Sequence, residues 1–299
     1  MGSEEKCAAP SRLTFLYNPA TGEVIGRTGK SWALITIFFA IFYLCLTGFF
    51  AINLAVFEAT LNDYTPRYYG KHSILGGNPG MGWEPQVDIE KTLVWFRSQK
   101  AYAHTYKPYV DELYRFLRPY DEDKQKGEHI FNCEGRPAPT NRVCRFDVKK
   151  MIGNEVCKLH LDDFGYNVGK PCIVLTLNKI YNWTAELYED TSDPGLKDAP
   201  QEMKDNRFRN DYIPISCEGV YAADKEYIGK ISYYPKYGFP AYFYPYTNTP
   251  GYLQPFVAIQ LENPQKKTLI NIECKAWAKN IEHTRQTHRG MASFEIMID

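Results

Sequence analysis

The sequence predicts a mainly β protein: a single N-terminal transmembrane helix, then an extracellular immunoglobulin-like antiparallel β-sandwich carrying one short α-helix. Three observations carry this reading. Residues 32–57 form an apolar run without a single charge. Several later stretches alternate apolar and polar residues with the period of two that marks half-buried strands. Six of the eight cysteines follow the apolar run, in a region rich in turn residues.

The 299 residues suffice for one large domain and an anchor. Lysine plus arginine balance aspartate plus glutamate at 35 each, so the chain has no basic surplus to neutralise a phosphate backbone, and nucleic acid is not an expected partner. The aromatic content of 15% is owed mostly to 23 tyrosines, which suit sheets and interfaces because each pairs an apolar ring with a hydroxyl that needs a partner.

Residues 1–31 read as a tail. Gly2 lacks the Ser or Thr that myristoylation wants at position 6, where Lys6 stands. Trp32 to Phe57 is long enough to cross ~30 Å of hydrocarbon with some tilt, and too long for the ~7–15-residue core of a cleaved signal peptide. It reads as an uncleaved signal-anchor in the lipid bilayer. Arg27 and Lys30 before the helix are offset by Arg67 and Lys71 after it, so charge alone orients the span weakly. The cysteines decide: Cys133, Cys144, Cys157, Cys172, Cys217 and Cys274 point to an oxidising compartment, which places the C-terminal part outside and makes the chain type II. Asn182-Trp183-Thr184, the one permissive N-x-Ser/Thr sequon, lies on the same side and is the expected glycosylation site. Cys7 and Cys45 stay outside the disulfide set.

Residues 58–86 read as a stalk, because Gly76, Gly77, Asn78, Pro79, Gly80 and Gly82 resist both helix and strand. Residues 87–299 form the disulfide-bonded ectodomain. Within it, Val110, Leu113 and Leu117 at helical spacing, with Pro108 near a first turn, predict one short amphipathic helix over 108–117. Strands are expected where Val257, Ile259 and Leu261, then Ile270, Ile272, Cys274 and Ala276, then Ala292, Phe294, Ile296 and Ile298 alternate with polar neighbours; shorter runs lie near 172–181 and 212–217. Six external cysteines allow 15 pairings, and the residues alone select none.

No catalytic residue emerges. Asp121-Glu122-Asp123 matches D-x-D, which in a glycosyltransferase would hold a metal and a nucleotide-sugar pyrophosphate, but it sits in a charged, loop-like run. His283 with His288, and His160 with Asp162-Asp163, lack the spacing and third ligand of a zinc site. The glycines at 76–82 fit no phosphate-binding motif, and G-x-S-x-G is absent. No metal and no cofactor are expected.

Two features remain. Gly238 to Tyr246 (GFPAYFYPY) and Gly251 to Phe256 (GYLQPF) concentrate aromatic rings between prolines, which lose little entropy on docking and so suit a protein interface. The same rings would also fill the sandwich's own core, and on the residues alone that reading stands first. In the apolar run, Tyr43 carries a hydroxyl that lipid cannot satisfy, and Gly48 permits close helix approach.

These residues together resemble the β subunits of the potassium-exchanging P-type ATPases, most closely those of the sodium,potassium-ATPase. The resemblance runs through Tyr17-Asn18-Pro19, Gly26-Arg27-Thr28-Gly29-Lys30-Ser31-Trp32, Ile41-Phe42-Tyr43 with Cys45 and Gly48, the six cysteines with Cys217-Glu218-Gly219, Gly238-Phe239-Pro240, Tyr244-Pro245-Tyr246, Tyr252-Leu253-Gln254-Pro255 and Ile272-Glu273-Cys274-Lys275-Ala276. It departs at Phe39, where many members have Tyr, and in a shorter loop around Tyr244-Pro245-Tyr246.

The resemblance implies a non-catalytic subunit of the plasma membrane that assembles with the catalytic α subunit, stabilises it and tunes potassium affinity; it leaves room for a small single-span regulatory subunit. It implies the pairs Cys133–Cys144, Cys157–Cys172 and Cys217–Cys274. It points to Phe39, Phe42, Tyr43 and Gly48 for helix packing against α, and to Tyr244, Pro245, Tyr246, Tyr252, Leu253, Gln254 and Pro255 for an extracellular α loop, which reverses the preference for a core role. The alternatives are a proton,potassium-ATPase β subunit, a cell-adhesion type II glycoprotein, and a glycosyltransferase dependent on Asp121 and Asp123.

Overall fold

A computed structural model describes residues 16–299 apart from 20, 75, 154–156, 158–162 and 288. The chain divides into two units, Met1–Asp63 and Tyr64–Asp299.

In the first unit, β1 (Tyr17–Asn18) and β2 (Glu23–Val24) pair antiparallel as a hairpin, and α1 (Gly29–Ala59) follows. Extended Thr28 caps the helix, its hydroxyl accepting from the Ser31 amide at 3.4 Å, which satisfies one of the first-turn donors. At ~1.5 Å per residue α1 is about 46 Å long, more than the ~30 Å hydrocarbon layer. No residue of α1 is buried within the chain, as suits a helix apolar on all sides. Asn53 turns its amide back onto the Phe49 carbonyl at 2.7 Å, pairing locally a group that lipid would leave unpaired.

The second unit opens with β3 (Met81–Glu84), β4 (Leu93–Phe96), α2 (Ala103–Leu117), β5 (Ile130–Phe131), β6 (Val143–Cys144) and α3 (Val148–Ile152). It continues with β7 (Cys172–Leu177), α4 (Gln201–Asn206), β8 (Tyr212–Ile213), β9 (Ile215–Gly219) and α5 (Ala222–Tyr227). The last strands are β10 (Ile231–Tyr234), β11 (Phe239–Pro240), β12 (Phe256–Leu261), β13 (Leu269–Ala276) and β14 (Met291–Ile298).

Two four-stranded sheets, in the orders β10-β12-β7-β3 and β4-β14-β13-β9, form the sandwich. Trp83 of one sheet meets Phe294 of the other with ring centroids 5.1 Å apart. All pairings in the two sheets are antiparallel except β4 with β14. Strand β14 alternates as its sequence predicts, burying Ala292, Phe294, Ile296 and Ile298. Strand β12 does not: Phe256, Val257, Ala258 and Ile259 are all buried, because Phe116, Tyr120 and Phe146 cover the face that alternation would have left to solvent.

Three expectations are corrected. Met81–Glu84, inside the stretch read as a stalk, is a strand pairing with β7; Gly82 faces Thr176, whose hydroxyl would lie 2.8 Å from an added Cβ, so here glycine admits the partner strand. The helix expected over 108–117 starts at Ala103 and holds Pro108 in its interior, since Tyr106 as well as Val110 and Leu113 is buried. Three further helices of five or six residues, α3 to α5, carry too short a period to be read. The disulfide Cys217–Cys274 joins neighbouring strands β9 and β13 of one sheet.

The other two disulfides are Cys133–Cys144, which clips the loop before β6, and Cys157–Cys172, which ties the chain to the start of β7. Cys45 is free and exposed on α1, and Cys7 lies outside the described residues.

Candidate partner-binding site

The aromatic segment begins where β11 pairs with β8. Gly238, just before it, adopts φ +110° with the Ile213 carbonyl oxygen 2.1 Å from where a Cβ would stand, so glycine is needed for the two strands to meet. Phe239 and Phe243 turn inward and are buried. The chain then runs beside the end of β7: Tyr246 bridges to Tyr181, and the Asn182 amide donates to the Tyr246 carbonyl at 2.8 Å. The Asn182 side chain is exposed, with its backbone in the left-handed region at φ +56° that asparagine tolerates.

Around this crossing the rings interlock. Tyr244 meets Trp183 edge-on at 5.5 Å, Tyr246 meets Tyr252 at 4.9 Å, and the Lys179 ammonium lies 5.7 Å and 5.9 Å from the Tyr246 and Tyr252 rings. The result is a cleft of about 730 Å³ walled by Tyr242, Tyr244, Pro245 and Tyr252 on one side and by the 137–144 loop with Tyr64 and Tyr181 on others. Its lining holds Arg142 and His129 but no carboxylate.

The hydroxyls of Tyr244 and Tyr252 are buried and find no hydrogen-bond partner among the described residues. Burial pushes both phenols well above their ordinary range, with Tyr252 and Tyr120 adding to the effect on Tyr244 and Tyr246 to that on Tyr252, so both are neutral. The nearby Tyr120 hydroxyl, by contrast, donates to the Gln254 carbonyl at 2.8 Å. Natural proteins rarely leave buried hydroxyls unpaired, and the Trp183 indole N–H beside Tyr244 is likewise without a partner among the described residues.

The structure does not gather every candidate. Leu253 and Gln254 line a separate, smaller cleft with Glu84, Glu112, Arg115 and Phe116, and Pro255 is buried at the start of β12. On α1, Phe39, Phe42 and Tyr43 form a continuous group of exposed rings, with Phe39–Tyr43 at 6.1 Å and Phe42–Tyr43 at 5.4 Å. Gly48 lies about 140° around the helix from Tyr43 at ~100° per residue, so it belongs to a different face.

Among the described residues the remaining sequence candidates form no cluster that could hold a metal ion. Asp123 pairs with Lys126, and Glu122 with Lys149 and Arg145, on an exposed turn. The His283 imidazole reaches the Ala276 carbonyl at 2.8 Å; His160, Asp162 and His288 lie outside the described residues. Lys179, Tyr181 and Trp183 join the aromatic site although their sequence gave no sign of it, because only the pairing beside β7 brings them there.

Residues 4–296 match the family described as "Sodium / potassium ATPase beta chain". The chain belongs to this family. It is 37% identical to the sodium/potassium-transporting ATPase subunit beta-2 of Drosophila melanogaster, over 99% of this chain and 94% of that protein. It is 36% identical to a probable sodium/potassium-transporting ATPase subunit beta-3 of Caenorhabditis briggsae, over 100% of this chain and 90% of that protein. The beta-1 subunit of Tetronarce californica is 32% identical, over 95% and 94%. As a β chain whose described residues hold one helix, α1, long and apolar enough to span a bilayer, it is a single-pass membrane protein.

Proposed function

We propose that this β chain is the non-catalytic subunit of a sodium/potassium-exchanging P-type ATPase. The observation that carries the reading is the family match along nearly the whole chain, span and sandwich included. The chain lies in the plasma membrane with its N-terminus in the cytoplasm. Three disulfides and the exposed Asn182 sequon support an extracellular second unit, since both belong to the secretory route.

Its partner is the catalytic α subunit. The rings of Phe39, Phe42 and Tyr43 form the stripe that packs in the membrane, where aromatic contact and the Tyr43 hydroxyl replace the missing hydrophobic drive. The cleft walled by Tyr242, Tyr244, Pro245 and Tyr252 receives an extracellular α segment. The β chain stabilises α by binding its folded form and accompanies it to the cell surface. It shifts potassium affinity by gripping one pump conformation more tightly than another, a coupling of about 1–3 kcal/mol in typical systems.

The test is expression of a catalytic α subunit with and without this chain. The α subunit is expected to reach the surface and bind potassium with an altered apparent affinity only with the chain present; equal surface delivery and ion dependence in both cases would overturn the proposal.

A further inference from the structure

We propose that the β1–β2 hairpin and the first turn of α1 form an interfacial foot that lies in the lipid headgroup layer at the N-terminal end of the span. The bilayer itself is its occupant. The hairpin is small, yet Leu16 and Tyr17 are each 55% exposed, Ile25 47% and Val24 44%. Ile25 is the informative residue. Its φ is +50°, a conformation that is an outlier for a β-branched side chain, whereas the neighbouring left-handed positions 22 and 26 are glycines. The turn would form more easily with glycine at 25, so the apolar side chain serves something outside the hairpin.

The hairpin's position says what. Trp32, the first residue of the charge-free run, donates its indole N–H to the Val24 carbonyl at 2.8 Å. Val24 and Arg27 exchange backbone hydrogen bonds at 2.9 and 3.1 Å, and the Ile25 amide donates to Leu16 at 3.1 Å. These contacts fold the hairpin back onto the start of α1 instead of letting it extend away, and so hold its apolar side chains level with Trp32. An indole at the end of an apolar span sits at the membrane–water boundary, where aromatic belts form. The exposed apolar surface is therefore continuous with the lipid-facing surface of α1, whose length exceeds the hydrocarbon layer and carries its first turn into the headgroups. Arg27 and Lys30, against the single acid Glu23, bring long side chains to the level of the phosphates while their stems stay in the boundary.

Collision measurements on nitroxide labels test this in the full-length chain, reconstituted in vesicles of phosphatidylcholine and phosphatidylserine with Cys7→Ser and Cys45→Ser. Labels are placed singly by Leu16→Cys, Ile25→Cys and, at the hairpin tip, Thr21→Cys; Val24→Cys reports the same depth as Ile25→Cys should the latter disturb the turn. With a water-soluble nickel chelate on both sides, the ratio of oxygen to nickel collisions is expected to be severalfold higher at 16, 24 and 25 than at 21. Equal ratios would place the hairpin in water, and exclusion of both reagents would mean that protein covers it; either result overturns the proposal.

Discussion

The hydroxyls of Tyr244 and Tyr252 are both buried in one wall of the same cleft, and neither has a hydrogen-bond partner among the described residues. Removing an unpaired buried hydroxyl is neutral or favourable for the isolated fold, by up to about 1–3 kcal/mol of desolvation cost no longer incurred. Tyr244→Phe and Tyr252→Phe are therefore expected to leave the ectodomain's melting temperature unchanged or raised and recovery of the α subunit unchanged. A lowered melting temperature, read by calorimetry, would mean that the hydroxyls are paired in the fold and contradict this expectation. Tyr244→Ala is the wrong variant, because the ring is buried against Trp183 and its loss opens a cavity.

Tyr43 and Gly48 lie on different faces of α1, so the two positions test the membrane contact separately. If both faces touch protein, Tyr43→Leu and Gly48→Leu each reduce co-isolation of α from mild detergent, and their effects add, as for independent sites. An effect of Tyr43→Leu alone would confine the contact to the Phe39, Phe42, Tyr43 stripe. Neither substitution is expected to alter the circular dichroism of the ectodomain.

The Cys217–Cys274 disulfide closes the longest of the three loops, with a sequence separation of 57 against 11 and 15. In the chain-entropy model it contributes about 4 kcal/mol and each of the others about 3. Replacing both Cys217 and Cys274 by alanine is expected to lower the ectodomain's melting temperature by on the order of 10 °C, more than the Cys133/Cys144 double replacement does. The reverse order, read by calorimetry, would contradict this ranking.

Glu273, buried on β13, accepts from Arg285 Nε at 2.9 Å and pairs with Lys275 Nζ at 2.9 Å. Burial pushes its carboxyl up, but the bonds to Lys275 and Arg285 and their charges together outweigh burial and hold it below the usual range. Its contribution is therefore complete above the unfolded-state value of about 4.3 and is lost as pH falls through the lower folded value. Glu273→Gln is expected to lower the melting temperature at neutral pH by a few degrees and to flatten its decline below about pH 5. A decline as steep as that of the unmodified protein would assign the acid sensitivity to other groups.

Much of this architecture could be read from the chain, for reasons visible in particular residues. The charge-free run from Trp32 announces a span by length alone, and Phe294, Ile296 and Ile298 alternate because β14 has one face in the core and one in water. Phe256 to Ile259 hid their environment, since a second aromatic layer from Phe116, Tyr120 and Phe146 buries both faces, and no local pattern encodes a covering made by residues more than a hundred positions away. The glycines near Met81 looked like punctuation; Gly82 instead admits a neighbouring strand. At the site, Tyr244, Pro245, Tyr246 and Tyr252 stood out by composition, but Lys179, Tyr181 and Trp183 join them only through the pairing of Tyr181 with Tyr246. Pro255, by the same composition a contact candidate, is buried.

The central claim is that this chain works as the partner of a catalytic ATPase subunit, and its most direct test is isolation of the native protein in mild detergent with measurement of what co-purifies. The account predicts an equimolar P-type ATPase whose ATP hydrolysis requires both sodium and potassium. A homogeneous assembly of this chain alone, without ATPase activity, would contradict it and make the aromatic cleft a surface for self-recognition.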